Sequence, residues 1–443
     1  MESITEMPKY ESYKDSGIDW IGEMPQSWEL RRVKSFLRLV ANPAPKNNSY
    51  ELLSVYTDIG VKPRRELEEK GNKASTTDGY WKVREGDFIV NKLLAWMGAI
   101  GISNYSGVTS PAYDILRPYK GISGNFYHFM FRTKTFSSVM KKSSRGIMDM
   151  RLRLYFDKFG DIRVPFPPVE VQHLIAKFLE KKITQIEEAI FIKEQQISLL
   201  KERKQIIIQQ AVTRGLDPNV LMKNSGVDWI GQIPTHWEIK RIKHVTSKIG
   251  SGITPSGGGA TYLDEGIPLL RSQNVHFDRI DIDDVARISL KTHNEMANTK
   301  VKKGDVLLNI TGGSIGRCFY VDTNEEMNVN QHVCIVRPTK DIETIFLNAV
   351  LASEVGQGQI WFFQQGGGRE GLNFQSLKNF WLALPPKQEQ REIVNYINKV
   401  SVEMNNIVDS LQKQISKIKD YRSSLVNSAV TGKIKITPEM VEG

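Results

Sequence analysis

Residues 169–213 read VEVQHLIAKFLEKKITQIEEAIFIKEQQISLLKERKQIIIQQAVT, preceded by Pro167 and Pro168, with no glycine or proline inside. A breaker-free run of about 45 residues is long for a globular helix. Its apolar residues recur at heptad spacing. Ile183, Ile190, Ile197 and Ala211 take one seam position, and Leu179, Ile186, Leu200 and Ile207 the other; Lys193 and Lys204 are the polar exceptions. This spacing predicts a coiled-coil seam rather than the wide stripe of a globular helix. At about 1.5 Å per residue the helix is expected to be about 65 Å long.

The same stretch occurs a second time. After Pro385 and Pro386, residues 387–431 read KQEQREIVNYINKVSVEMNNIVDSLQKQISKIKDYRSSLVNSAVT. Moved by 218 positions, the seam falls on Ile397, Ser401, Met404, Val408, Leu411, Ile415, Ile418, Arg422, Leu425 and Ala429, with no insertion. Two helices on separate cores would have no cause to match in length, whereas two helices packed on each other would. The expected interface is Ile183, Ile186, Ile190, Ile197, Leu200 and Ile207 with Met404, Val408, Leu411, Ile415, Ile418 and Leu425. Lys204 falls on Arg422, which suggests polar positions that set register between antiparallel partners.

Outward from the helices the whole chain repeats. SGIDWIGEMPQSWELRRVK at 16–34 and SGVDWIGQIPTHWEIKRIK at 225–243 are identical at eleven of nineteen positions. VREGDFIVN at 83–91 matches VKKGDVLLN at 301–309, GAIG at 98–101 resembles GSIG at 313–316, and SPAYDILRP at 110–118 resembles NQHVCIVRP at 330–338. In each half a Gly-Asp turn signal feeds a short apolar strand. Strands are expected at 52–55, 88–90, 114–116, 306–310 and 334–336, and short helices at 125–134 and 342–353. Between these anchors residues 43–81 and 248–299 have no counterpart in each other, so each half has a shared frame and a private insert. The segment 213–225 is continuous, while its counterpart is split between the two chain ends, which suggests a closed pseudo-dimer. The expected fold is α+β: two mixed α/β domains, each followed by a long helix, the helices packed as an antiparallel coiled coil with internal pseudo-two-fold symmetry.

The length, 443 residues, allows two or more domains with real cores. At 40% hydrophobic and 25% charged residues the chain reads as soluble, and its net charge of +10 permits a polyanionic partner. The two cysteines, Cys318 and Cys334, form no metal pattern and suit a reducing compartment. No signal peptide and no membrane span is expected. The patterns GxxxxGK[ST] and HExxH are absent, the glycine cluster at 256–259 reads as a loop and is not GxGxxG, and the histidines are scattered. The chain is therefore expected to bind rather than catalyse, with no metal of its own.

The phrases SG[IV]DWIG-x-[MI]P-x-x-W, GIPLLRSQNV at 266–275, VPFPPVEVQ at 164–172 and LPPKQEQ at 384–390, in the order variable domain, Pro-Pro helix, variable domain, Pro-Pro helix, resemble the DNA-specificity subunit of Type I restriction–modification systems. The resemblance covers nearly the whole chain. It implies two target-recognition domains, each reading one part of a split double-stranded DNA sequence, with the helices as an antiparallel spacer. It implies docking of two methyltransferase subunits and of restriction translocase-nuclease subunits. S-adenosylmethionine, ATP and Mg²⁺ would belong to those partners, with no cofactor in this chain, no membrane and a cytoplasmic location. The layout becomes 1–24 an N-terminal frame segment, 25–166 the first target-recognition domain, 167–214 the first spacer helix, 215–233 a connector repeating the N-terminal frame, 234–384 the second target-recognition domain, 385–432 the second spacer helix and 433–443 a tail. Val171 departs from the pattern, since the second half has Glu389 in the usual acidic–Gln pair.

Phosphate contacts need Lys or Arg, and base edges favour Arg, Lys, Asn, Gln, Ser and Thr. In the first domain the candidates are Lys62, Arg64 and Arg65 after a turn, Lys92 after the Gly-Asp strand, and Arg145, Arg151 and Arg153 before the helix. In the second they are Ser251, Thr254 and Ser256 in a glycine-rich loop, Arg271, Gln273 and Asn274 after an apolar strand, then Asn330, Gln331 and Arg369. Any single one is more readily explained as a solvated surface group, while of the group at least about a third are expected to touch DNA. Trp20, Trp28, Trp229 and Trp237 are expected to pack within the frame. The competing class is a two-domain coiled-coil adaptor that binds protein and does not recognise specific DNA. An enzyme with an unfamiliar site is a third.

Overall fold

The structure is a computed structural model and describes residues 3–66, 77–147, 151–255, 257, 259, 262–364 and 371–442. It divides into two compact units, Met1–Glu194 with Gln412–Gly443, and Gln195–Leu411. The breaker-free runs form single helices, Val169–Arg214 and Lys387–Val430, and each helix begins in one unit and ends in the other.

The first unit is built on a four-stranded antiparallel sheet in the order Leu37–Val40, Tyr113–Pro118, Phe88–Asn91, Ile100–Ile102. Two short ladders flank it, Tyr13–Asp15 with Glu23–Pro25 and Glu29–Arg32 with Arg163–Phe166. Trp28 is fully buried at the junction, and Trp20 packs edge-on against Phe136. The two chain ends meet in this unit: Lys435 N donates to Pro8 O at 2.7 Å. Gly432, at φ +77°, has no room for a Cβ, which would stand 2.4 Å from Pro25.

The second unit repeats this frame. Its four-stranded sheet runs Thr246–Ser251, Val333–Pro338, Val306–Asn309, Cys318–Tyr320. Its flanking ladders are Met222–Asn224 with Gln232–Pro234 and Glu238–Arg241 with Trp381–Leu384. Trp237 is fully buried, and Trp229 packs on Phe362 at the surface. The Gly-Asp turns do the same work in both units. Asp87 accepts both Arg117 Nε and NH2 at 2.7 Å; Asp305 accepts Arg337 Nε at 2.7 Å and NH2 at 2.9 Å. Each carboxylate is buried, and its hydrogen bonds hold the arginine pKa above the ordinary value. Each long helix is also pinned the same way. Buried Gln172 donates to Pro167 O and accepts Ser123 N; buried Gln390 donates to Pro385 O and accepts Glu343 N.

The inserts differ. The first unit adds the hairpin Leu53–Tyr56 with Gly60–Pro63 and the ladder Trp81–Val83 with Gly107–Thr109. The second adds a three-stranded sheet, Ala286–Ile288, Ile267–Leu270, Asn328–Val329, whose last pair is parallel. The short helix expected at 125–134 is two helices, Gly124–Phe131 and Lys134–Ser143, because the Thr133 hydroxyl accepts Phe136 N and restarts the chain. The counterpart is Thr344–Ala352 followed by Glu354–Gln364.

Within each unit the long helices touch, and in the first the contacts run in opposed order. In the first, Arg422 pairs with Glu187 at 3.3 Å and Lys193 bonds Gln414 at 2.7 Å; in the second, Lys204 bonds Asn405 at 3.2 Å. Ile186, Ile190, Ile415, Ile418 and Leu425 are buried, and Ile183, Ile197, Leu200, Ile207, Met404, Val408 and Leu411 are half-buried. Lys204 and Arg422 thus reach polar partners across the seam. Burial lowers the Lys204 pKa.

His128 lies under the insert hairpin and accepts Ile102 N through Nδ1 at 3.2 Å. Burial, with help from Arg132, depresses its pKa to about 3. Its folded-state pKa is below the unfolded value, so the unfolded chain binds the extra proton. Its contribution is complete above about pH 6.5 and is lost as pH falls toward 3, by about 2 kcal/mol at pH 5. Urea unfolding of the first unit at pH 7 and pH 5 is expected to show this loss, and His128→Gln is expected to remove that part of it.

Candidate nucleic-acid interface

The insert hairpin turns at Asp58, Ile59 and Gly60, with Gly60 at φ +81°, and its second strand delivers the first candidates. Lys62 Nζ lies 3.2 Å from the Tyr105 hydroxyl. Arg64 is half-buried, and exposed Arg65 meets Glu51 at 3.3 Å. The other first-unit candidates converge through the backbone. Arg145 and Arg153 exchange backbone hydrogen bonds at 2.9 Å, and Leu154 N donates to Lys92 O at 2.8 Å. Arg151 and Arg153 face solvent, as do Leu94 and Met97 shortly after Lys92 and Ile147 shortly after Arg145.

Partners decide which charges are available. Arg145 meets Asp157 at 2.7 Å, with both side chains more than half exposed. Such pairs are worth about 0–1 kcal/mol, so Arg145 and Arg65 can exchange a carboxylate for a phosphate at little cost. Lys92 is different: it pairs with Asp114 at 3.3 Å in a recess, donates to Pro111 O, and is committed. Burial raises the Asp114 pKa and Lys92 opposes the rise.

In the second unit Ser251 Oγ donates to Gly252 O. Thr254 donates to Gln331, Gln331 meets His332 Nε2 at 3.0 Å, and His332 Nδ1 meets Thr311 Oγ1 at 2.6 Å. His332 and Thr311 are therefore members of this polar chain that sequence reasoning missed; only their place beside Asn330-Gln331 and the Gly-Asp strand marks them. Arg271 stands over the Tyr262 ring at 5.7 Å, and Gln273 is exposed. Asn274 and Asn330 need correction as surface candidates. Asn274 is buried, accepting Arg271 N and donating to Asp281 O and Asp284 O; buried Asn330 accepts His332 N. Both shape loops. Ser256 and Arg369 lie outside the described residues. No group of three or more His, Cys, Asp or Glu could hold a metal among the described residues, and none of their helices is long and apolar enough to cross a membrane.

The Val171 departure has a structural counterpart. Glu389 accepts His236 Nε2 at 2.7 Å and Trp237 Nε1 at 3.1 Å. In the first unit, where the position is Val171, Trp28 Nε1 is buried near Tyr10 without a well-formed hydrogen bond.

Residues 234–417 match the model of the Type I restriction modification DNA specificity domain. The model covers the second half, and the internal repeat carries the likeness to the first. The MjaVIII specificity subunit of Methanocaldococcus jannaschii, a Type I restriction enzyme subunit, is 24% identical over 98% of this chain and 99% of its own length. The EcoBI specificity subunit of Escherichia coli is 26% identical over 64% of this chain and 62% of its own. A chain solved in a study of complex assembly and conformational transition of the type I R-M system covers 92% of this chain and 98% of itself, with TM-score 0.68 at 15% identity. The HsdS subunit from Thermoanaerobacter tengcongensis covers 93% and 98%, with TM-score 0.51 at 16% identity. These structures share the fold.

Proposed function

We propose that this chain is a Type I specificity subunit that reads a bipartite double-stranded target, one half-site per unit, and holds two methyltransferase subunits together with restriction subunits. The observation that carries this is one frame built twice with two different inserts, since a split site needs two unlike readers. The proposed contacts come from the exposed candidates, among them Arg65, Arg145, Arg151, Arg153, Gln273 and Gln331. The long helices form an antiparallel coiled-coil spacer in a pseudo-two-fold molecule. Their outward apolar side chains, Phe191, Ile192, Leu199, Val402 and Ile407, suit docking of protein subunits. S-adenosylmethionine, ATP and Mg²⁺ bind those subunits, where the chemistry takes place, in the cytoplasm.

The test is a gel shift with duplex DNA across a salt series, with and without methyltransferase subunits, followed by mapping of the methylated sequence. The chain alone is expected to bind weakly, with affinity falling as salt rises. With its partners it is expected to select a two-part motif. No DNA binding in either form, with partner binding retained, would leave a protein adaptor instead.

A further inference from the structure

We infer that Arg132 is the positioning residue of the first reader: its guanidinium fastens the insert hairpin to the shared frame. The inference rests on the proposed reading that this hairpin, with Lys62, Arg64 and Arg65, serves the first half-site.

Arg132 follows the helix Gly124–Phe131, one residue before the Thr133 cap. Its side chain turns into the unit and meets five backbone carbonyls. NH2 donates to Thr57 O at 2.9 Å and Asp58 O at 2.7 Å, at the tip of the hairpin. NH1 donates to Gly98 O at 2.9 Å and Ile100 O at 3.1 Å in the frame, and lies 3.4 Å from Tyr56 O. One planar fork thus spans two parts of the chain with no backbone ladder between them. The pieces also fit closely: a Cβ on Gly98 would stand 3.2 Å from Thr57 O, and one on Gly60 would meet the His128 ring at 3.4 Å. Guanidinium suits this task because its donors diverge in a fixed plane and its charge persists when half-buried.

Among the described residues the device belongs to one half. Thr133 and Ser353 are equivalent, each hydroxyl donating to the carbonyl three residues back. The position before Ser353 is Ala352, which lines an open cleft of about 820 Å³ with Phe277 and Gln357. There Gln357 donates to Gly316 O and Leu351 O, both in the frame, and holds no insert strand. A frame residue would be repeated; a residue that fixes one private insert need not be.

The test uses Arg132→Ala in the assembled methyltransferase complex, with hydrogen exchange on the same protein. Amides of the hairpin 53–63 are expected to exchange on the order of tenfold faster, while the sheet strands keep their protection. Discrimination against a single wrong base pair in the first half-site is expected to fall about tenfold, with the second half-site unchanged. Arg132→Lys, which keeps charge and reach but not the fork, is expected to recover part of both effects, and it serves as the readout should the alanine variant fail to fold. Unchanged hairpin exchange would overturn the positioning role. Faster hairpin exchange with equal losses at both half-sites, or with none, would overturn its link to the first half-site. A wild-type complex whose methylated sequence is not bipartite would instead refute the functional reading, leaving the exchange result to decide the positioning role alone.

Discussion

Asp305→Ala is expected to destabilise the second unit by about 3–5 kcal/mol, the cost of leaving a partly buried charge without its partner. The Asp305 side chain is fully buried. It takes both Arg337 donors and also accepts Lys302 N at 2.7 Å, so one carboxylate closes the turn and anchors the central strand. Removing it leaves the Arg337 guanidinium with only Lys300 O at 3.3 Å. The double variant Asp305→Ala with Arg337→Leu is expected to be more stable than the single one, since it removes the stranded charge. Urea unfolding followed by hydrogen exchange checks this, because exchange reports each unit separately. A single variant that keeps the second unit's protection would show that the turn holds without the carboxylate. The matching change in the first unit, Asp87, removes the acceptor of Arg84 N at 2.9 Å and of both Arg117 donors.

That ion pair shows what could be read from the sequence. The Gly-Asp turns and the Arg-Pro strand ends stand out as repeated phrases, each with a local meaning. Their joining is a contact across about 30 residues that no local pattern encodes. The long helices were fully legible, because a period of seven over six turns or more has one physical interpretation. The helix Lys134–Ser143 was not. Its serines and threonine are poor helix formers, and its start depends on the Thr133 cap. Glu354–Gln364 was hidden by two glycines, Gly356 and Gly358, the first packed so closely that a Cβ would stand 2.4 Å from Leu351 O. The inserts carried least signal, since their short strands pair by tertiary context.

The candidate residues divide along the same line. Charge and position singled out Arg65, Arg145, Arg151 and Arg153, and the structure leaves them at the surface. The same criteria also selected Asn274, because a buried loop-forming amide and an exposed reading amide are the same residue in sequence. Arg132 escaped for the opposite reason. A lone arginine after a helix reads as a solvated C-terminal charge, and its five carbonyl partners come from segments about 30 and 75 residues away.

The spacer reading makes the largest functional demand. Lys204 bonds Asn405, so one heptad back along the first helix brings Ile197 opposite the region of Leu411. Inserting seven residues after Ile197 and seven after Leu411 keeps the seam phase, because each helix gains one whole repeat. Each helix lengthens by about 10 Å. DNA rises about 3.4 Å per base pair, so the readers are expected to move apart by about three base pairs. They also turn by roughly a quarter to a third of the way around a duplex of about 10.5 base pairs per turn. Methylation mapping of the assembled variant is therefore expected to show the same half-sites with a longer spacer, or no specific methylation if the rotated reader misses its groove. An insertion in one helix alone breaks the pairing and is expected to abolish specific methylation. A folded double variant that methylates the original spacing at the original rate would show that the separation of the readers is set elsewhere than by the helices.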